Sequence, residues 1–137
     1  MKQITGIIET ALYTTNLERA VNFYRTVLGF TSLTGDGRFH AFSVAERHVL
    51  LLFVTGESLS PATLPGGVIP PHDGTGAAHA GFSVDPGTLD ECEEHLKAHG
   101  VEIESRMTWE RGGRSLYFRD PDGHLLEFLT PGVWAIY

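Results

Sequence analysis

The sequence predicts an α+β fold made from one structural unit used twice. Two stretches repeat the same order: a short apolar strand with one ionisable residue near its start, an amphipathic helix ended by glycine, then further strands. The interval from the marked strand residue to the helix-ending glycine is 20 residues in the first half (Glu9 to Gly29) and 21 in the second (His79 to Gly100). One such unit cannot close its own hydrophobic face, so two must pair.

Each element has a local cause. Residues 6–14 are rich in β-branched side chains and read as a strand. Residues 15–28 read as a helix, with Thr15 and Glu18 as a capping box, an apolar stripe of Leu17, Ala20, Val21, Tyr24 and Leu28, and Gly29 just past its end. A polar turn follows, then strands over 39–44 and 48–54 flanking an Ala-Glu-Arg turn. Residues 55–77 carry four of the seven prolines and five glycines, the mark of a linker or flap. The second unit runs through a strand over 79–84 and a helix begun by Thr88 and Glu91, with Leu89, Cys92 and Leu96 inward and Gly100 as its stop. Strands near 101–107, 114–119 and 124–130 complete it. Asp120-Pro121-Asp122-Gly123 forms the turn between the last two, where glycine supplies a positive φ.

Size and composition bound the function. The 137 residues suit a single domain, read as module one over 1–54, a linker over 55–77 and module two over 78–137. With 42% apolar and 20% charged residues, the composition is that of an ordinary globule. No apolar run is long enough to span a bilayer, and Met1-Lys2-Gln3 begins no signal peptide. The single Cys92 cannot form an intramolecular disulfide, so a cytoplasmic location is the expectation. The net charge of −7 lies entirely in residues 69–137, which hold five basic and twelve acidic residues. An acidic surface argues against nucleic acid as a partner.

Strand parity singles out candidate site residues. In the strand over 79–84, Ala80, Phe82 and Val84 share an apolar face suited to a helix, which puts His79 on the other. Glu9 lies opposite Thr10 and Leu12, and Glu127 opposite Leu126 and Phe128. If the helices cover one side of the sheet, Glu9, His79 and Glu127 all point to the concave side. Tyr13 shares the parity of Glu9, and Tyr117 and Trp109 are further candidate walls of a pocket. Gly112-Gly113 with Arg111 and Arg114 makes a basic loop able to meet an acidic substrate group. His72 reads as an exposed loop histidine, with a flap acid or base as the alternative; His40, His95, His99 and His124 read as surface histidines.

The stretches TALYTTNLERAVNFYRTVLGF, HAGFSV and SLYFRDPDGHLLEF resemble the vicinal-oxygen-chelate superfamily, the glyoxalase/bleomycin-resistance/extradiol-dioxygenase group. The resemblance implies two paired βαβββ modules forming a curled mixed sheet around a ligand cleft with one divalent metal. It carries Glu9, His79 and Glu127 over as metal ligands. The fourth position departs from the pattern: Leu52, or Leu51 if the histidines are aligned instead, stands where glyoxalase I-like members have a carboxylate. His48 has the parity of Leu52 but sits out of metal reach. A Glu/His/Glu set with open positions suits Zn, Mn, Fe, Ni or Mg. The implied activity is that of a metal-dependent lyase or isomerase on a small oxygen-rich molecule, with Glu9 and Glu127 catalytic, Glu9 the candidate base, and Tyr13, Tyr117, Trp109 and Arg114 binding substrate. A homodimer is the implied assembly. Two alternatives stay open: a drug-sequestering protein of the bleomycin-resistance kind, and an extradiol dioxygenase. Fosfomycin-modifying members surround a phosphonate with cations, and the chain offers Arg106, Arg111, Arg114 and Arg119 near its second module alone.

Overall fold

Two compact units divide the chain, the first ending at Thr75 and the second running from Gly76 to Tyr137. The structure is a computed structural model and describes residues 3–137; Met1 and Lys2, which open the segment read as no signal peptide, lie outside the described residues. No described helix is long and apolar enough to cross a membrane.

The first unit holds β1 (Glu9–Thr14), α1 (Leu17–Thr26), β2 (Thr31–Gly35), β3 (Phe39–Val44) and β4 (His48–Val54). Its mixed sheet has the order β1-β4-β3-β2, with β1 parallel to β4 and the other pairs antiparallel. The parallel pair follows from the helical crossover, and the antiparallel pairs from short turns. Asn16, not Thr15, caps α1: its side chain accepts the Arg19 amide at 3.0 Å, and Thr14 Oγ1 accepts the Asn16 amide. The helix sets Ala20, Phe23 and Tyr24 against the sheet face carrying Leu12, Phe42, Leu50 and Leu52, all buried. Each such apolar side chain stabilises by about 1.5–3 kcal/mol. The β3–β4 turn places Ala45 and Glu46 at φ 52° and 56°, a left-handed pair more often formed by Asn and Gly.

Three strands stand where none was expected. The polar turn after Gly29 contains β2, an edge strand exposed along its whole length. The Pro/Gly linker contains a hairpin of β5 (Ala62–Leu64) and β6 (Gly67–Ile69), and belongs with the first unit.

The second unit repeats the plan: β7 (His79–Ser83), a 3-10 turn at Pro86–Thr88, α2 (Leu89–Ala98), β8 (Ser105–Thr108), β9 (Arg114–Arg119) and β10 (Leu125–Leu129). Sheet order is β7-β10-β9-β8, again with one parallel pair, β7 with β10. Thr88 makes no capping bond to α2, because its hydroxyl is donated to the Asp85 carbonyl at 3.0 Å. Leu89 and Leu96 of α2 are fully buried, as are Leu116, Phe118 and Leu126 on one sheet face.

Candidate functional site

Along β1, Glu9, Ala11 and Tyr13 face away from the helix side. Their partners on β4 are Val49, Leu51 and Phe53. The β5–β6 hairpin and the loop leading to His72 complete the walls of a cavity of about 600 Å³ in the first unit. Glu9, Tyr13, Phe39, Leu51, Phe53 and His72 are among its lining residues, with Asp36 and Arg38. The Tyr13 and Phe39 rings each lie within 30° of parallel to Phe53, with centroids 6.0 and 5.7 Å from it. His72 stands edge-on to Phe53 at 4.4 Å, and its Nδ1 shares a 2.7 Å hydrogen bond with the Tyr13 hydroxyl.

The exposed-loop reading of His72 therefore gives way to a half-buried, bonded one. Its loop is tied down by the Gly56 amide on Asp73 Oδ1 and by Thr55 Oγ1 on the Gly74 carbonyl. Gly74 is needed there, because a Cβ would run into the Tyr13 ring. Burial, then the Asp73 charge, raises the Tyr13 pKa above its ordinary value, so the hydroxyl stays protonated. Tyr13 therefore lines the cavity as expected from its parity with Glu9.

In the second unit, β7 and β10 bring His79 and Glu127 together. His79 pairs with Leu125 and Gly81 with Glu127, so the imidazole and the carboxylate lie one residue pair apart on the same face. His79 Nε2 is 3.3 Å from Glu127 Oε2. The Leu125 carbonyl, which can only accept, takes the His79 Nδ1–H at 2.9 Å. A neutral His79 then turns a lone pair toward a carboxylate oxygen, a contact that needs a cation or a proton between the two. Glu127 is 6% exposed, and its Oε1 is buried with no hydrogen-bond partner in the protein. Gly81 carries no side chain into this corner; a Cβ there would press on Leu129 Cδ2 at 3.0 Å and sit 3.8 Å from Glu127 Oε2. An oriented imidazole beside an under-satisfied carboxylate fits part of a divalent-cation site.

Tyr117 lies across from Glu127 on β9. Burial, reinforced by the Glu127 carboxylate, raises its pKa and keeps its hydroxyl a donor. Among the described residues no group of three or more His, Cys, Asp and Glu side chains is gathered to hold a metal. The expected Glu9, His79 and Glu127 set is thus assembled on neither unit alone: Glu9 belongs to the first, the other two to the second.

The structure places the remaining candidates apart from that corner. Arg114, expected to bind substrate, has the parity of Leu116 and Phe118 and reaches Asp90 of α2 at 2.8 Å. Arg106 pairs with Glu93, and Arg119 with Glu104. Trp109 donates its Nε1–H to Ser115 at 2.8 Å and lines a smaller cavity with Arg111. His48 follows the parity of Leu52 toward the helix side, with its Nδ1 on the Ile7 carbonyl at 3.0 Å. His124, read as a surface residue, is 2% exposed, and its Nδ1 meets Asp120 Oδ2 at 2.7 Å. The signal for that pair was the Asp and His four apart across the turn.

Known proteins show the same plan. A lactoylglutathione lyase structure from Agrobacterium tumefaciens is 34% identical, covers 97% of this chain and 98% of its own, and superposes with a TM-score of 0.86. The metallothiol transferase FosB of Shouchella clausii is 28% identical over 93% of this chain and 81% of its own length. The fosfomycin resistance protein FosX of Listeria monocytogenes is 28% identical over 90% of this chain and 88% of its own. Residues 6–128 match the sequence model of one family, and the chain belongs to it: the Glyoxalase/Bleomycin resistance protein/Dioxygenase superfamily.

Proposed function

We propose that the chain is a metal-dependent enzyme of the glyoxalase type, a lyase or isomerase for a small oxygen-rich organic molecule. The observation that carries this is the His79–Glu127 corner, where a pinned imidazole, a carboxylate 3.3 Å away and a buried oxygen without a partner match part of a divalent-cation site. His79 through Nε2 and Glu127 would hold a Zn, Mn, Fe, Ni or Mg ion, with Glu9 kept as the further ligand that the family resemblance implies. Such an ion supplies Lewis-acid stabilisation of enolate or oxyanion charge on vicinal substrate oxygens.

The chain's own groups do the rest. The Leu125 carbonyl keeps the His79 ring in one orientation and one tautomer. Tyr117, held protonated, can donate to a developing oxyanion. Glu9 is the candidate base, its carboxylate opening on the first unit's cavity. The protein is proposed to work as a homodimer. A lactoylglutathione lyase as the 34% identical structural relative supports the reaction class. The fosfomycin-resistance relatives support a small substrate, but three of the four arginines near module two are already paired with carboxylates, which weakens the case for a phosphonate.

The test is the metal content of protein purified without a His-tag, alongside Glu9→Ala, His79→Ala and Glu127→Ala. Near one divalent ion per chain, lost in all three folded variants, is the expected result. No bound metal, and no binding or stabilisation when ions are added back, would overturn the proposal and leave ligand sequestration as the working alternative.

A further inference from the structure

The first unit's cavity has a composition of its own, and it names a ligand class. Phe53 forms its centre, flanked by Tyr13 and Phe39 in near-parallel planes, while His72 stands edge-on to Phe53 as a side wall. Three rings stacked in near-parallel planes on neighbouring strands, with an imidazole edge-on to the central one, offer an aromatic ligand edge-to-face contacts that add to area burial. At about 600 Å³ the space lies in the range that encloses drug-sized molecules, larger than a three-carbon substrate needs.

Charge narrows the class further. Two carboxylates, Glu9 and Asp36, face one cation, Arg38, among the lining residues. That guanidinium is 3.6 Å from Asp36, so no unpaired cation awaits an anionic ligand. The polar contact on offer is His72, whose Nδ1 is engaged by the Tyr13 hydroxyl and whose Nε2 makes no hydrogen bond to any described residue. We infer that this cavity binds the planar aromatic body of an uncharged organic molecule bearing a hydroxyl or keto oxygen, and that it selects against anions. This extends the proposed function by naming the body of its substrate, yet it rests on the cavity alone and needs no metal.

The test uses three probes of one size on the whole protein in chelator: 2-naphthol, 2-naphthoate and naphthalene, followed by calorimetry. 2-Naphthol is expected to bind, 2-naphthoate at least about tenfold more weakly because it meets Glu9 with no unpaired cation to offset it, and naphthalene more weakly than 2-naphthol for want of an oxygen. Phe53→Ala should weaken 2-naphthol at least about tenfold, the loss of one ring contact and its buried area. Circular dichroism checks that variant; if it does not fold, Phe53→Leu keeps the apolar volume and carries the same expectation. Because every titration is run in chelator, 2-naphthol binding reads the cavity with no metal present, which separates failure of this inference from failure of the metal reading. No binding of 2-naphthol at its solubility limit, equal or tighter binding of 2-naphthoate, or indifference to Phe53 would each overturn the inference.

Discussion

Replacing Glu127 by Gln should make the metal-free protein more stable while abolishing its response to metal. In chelator, at a pH high enough that no proton bridges the pair, wild-type Glu127 is a nearly buried carboxylate whose Oε1 has no partner and whose Oε2 lies 3.3 Å from His79 Nε2. A glutamine amide can donate to that nitrogen, because the Leu125 carbonyl already fixes the other ring nitrogen as a donor. Satisfying one buried group is worth about 1–3 kcal/mol, and weakening the Tyr117 contact to a neutral partner takes back about 1 kcal/mol. The net gain of about 1 kcal/mol corresponds to a Tm roughly 3–5 °C higher for a chain of this length. A divalent ion at a hundredfold excess over Kd should stabilise the wild type by about 2.7 kcal/mol, or roughly 8–13 °C, and the variant not at all. The assay is thermal unfolding by circular dichroism in chelator and after addition of Zn, Mn, Ni or Mg. A variant that melts below wild type in chelator, or metals that shift both proteins equally, would refute the reading of this corner as a cation site.

Three further outcomes follow from other parts of the structure. Hydrogen bonds from Arg106 first, then Lys97, hold the Glu93 pKa down at about 2, so its stabilisation is present above the ordinary carboxylate value of 4.5 and is lost as pH falls toward 2. Arg106→Ala should flatten the urea midpoint across that window. Asp120→Ala should cost about 2–4 kcal/mol in urea denaturation, since it strands the Asp122 and His124 amides and the buried His124 ring together. Gly113→Ala should lower stability by about 1–3 kcal/mol, because the new Cβ meets the backbone at Gly132 and Val133 and neither can swing away.

Periodicity and turn chemistry made most of the fold readable. Helix α2 stops directly before Gly100 at positive φ, α1 runs over Leu17–Thr26 within the expected 15–28 and ends ahead of Gly29, and β9 spans the expected residues, because burial on one face leaves a strong pattern. Strand β2 was hidden because Thr31–Gly35 is exposed throughout and shows no alternation. The β5–β6 hairpin was hidden by the prolines and glycines that surround it. For α1, Thr15 and Asn16 are both good caps, and only the placement of the Asn16 side chain against the Arg19 amide decides between them. Within the site, parity placed Glu9 with Tyr13 and His79 with Glu127. It could not place His72, since that depends on a loop folding back 59 residues from Tyr13, nor show that Asp90 would claim Arg114.

The repeat explains why the two modules differ where they do. Register makes Glu9 the counterpart of His79 and Ala11 that of Gly81, so the counterpart of Glu127 is Leu51, not Leu52. Leu52 is 1% exposed and packs on the helix side, where a carboxylate would be buried without a partner. Leu51 instead lines the cavity beside Phe53 and Tyr13. A carboxylate at that position would add a third negative group to walls that already hold Glu9 and Asp36, and would wet the apolar floor. The missing fourth donor and the aromatic cavity are therefore one feature. Module two keeps the imidazole and carboxylate pair with a glycine beside it at position 81, whereas module one keeps a single carboxylate and gives the other position to apolar contact. On the proposed reading, that division would let one copy of the unit favour a cation and the other an organic ring, with no change in the backbone plan they share.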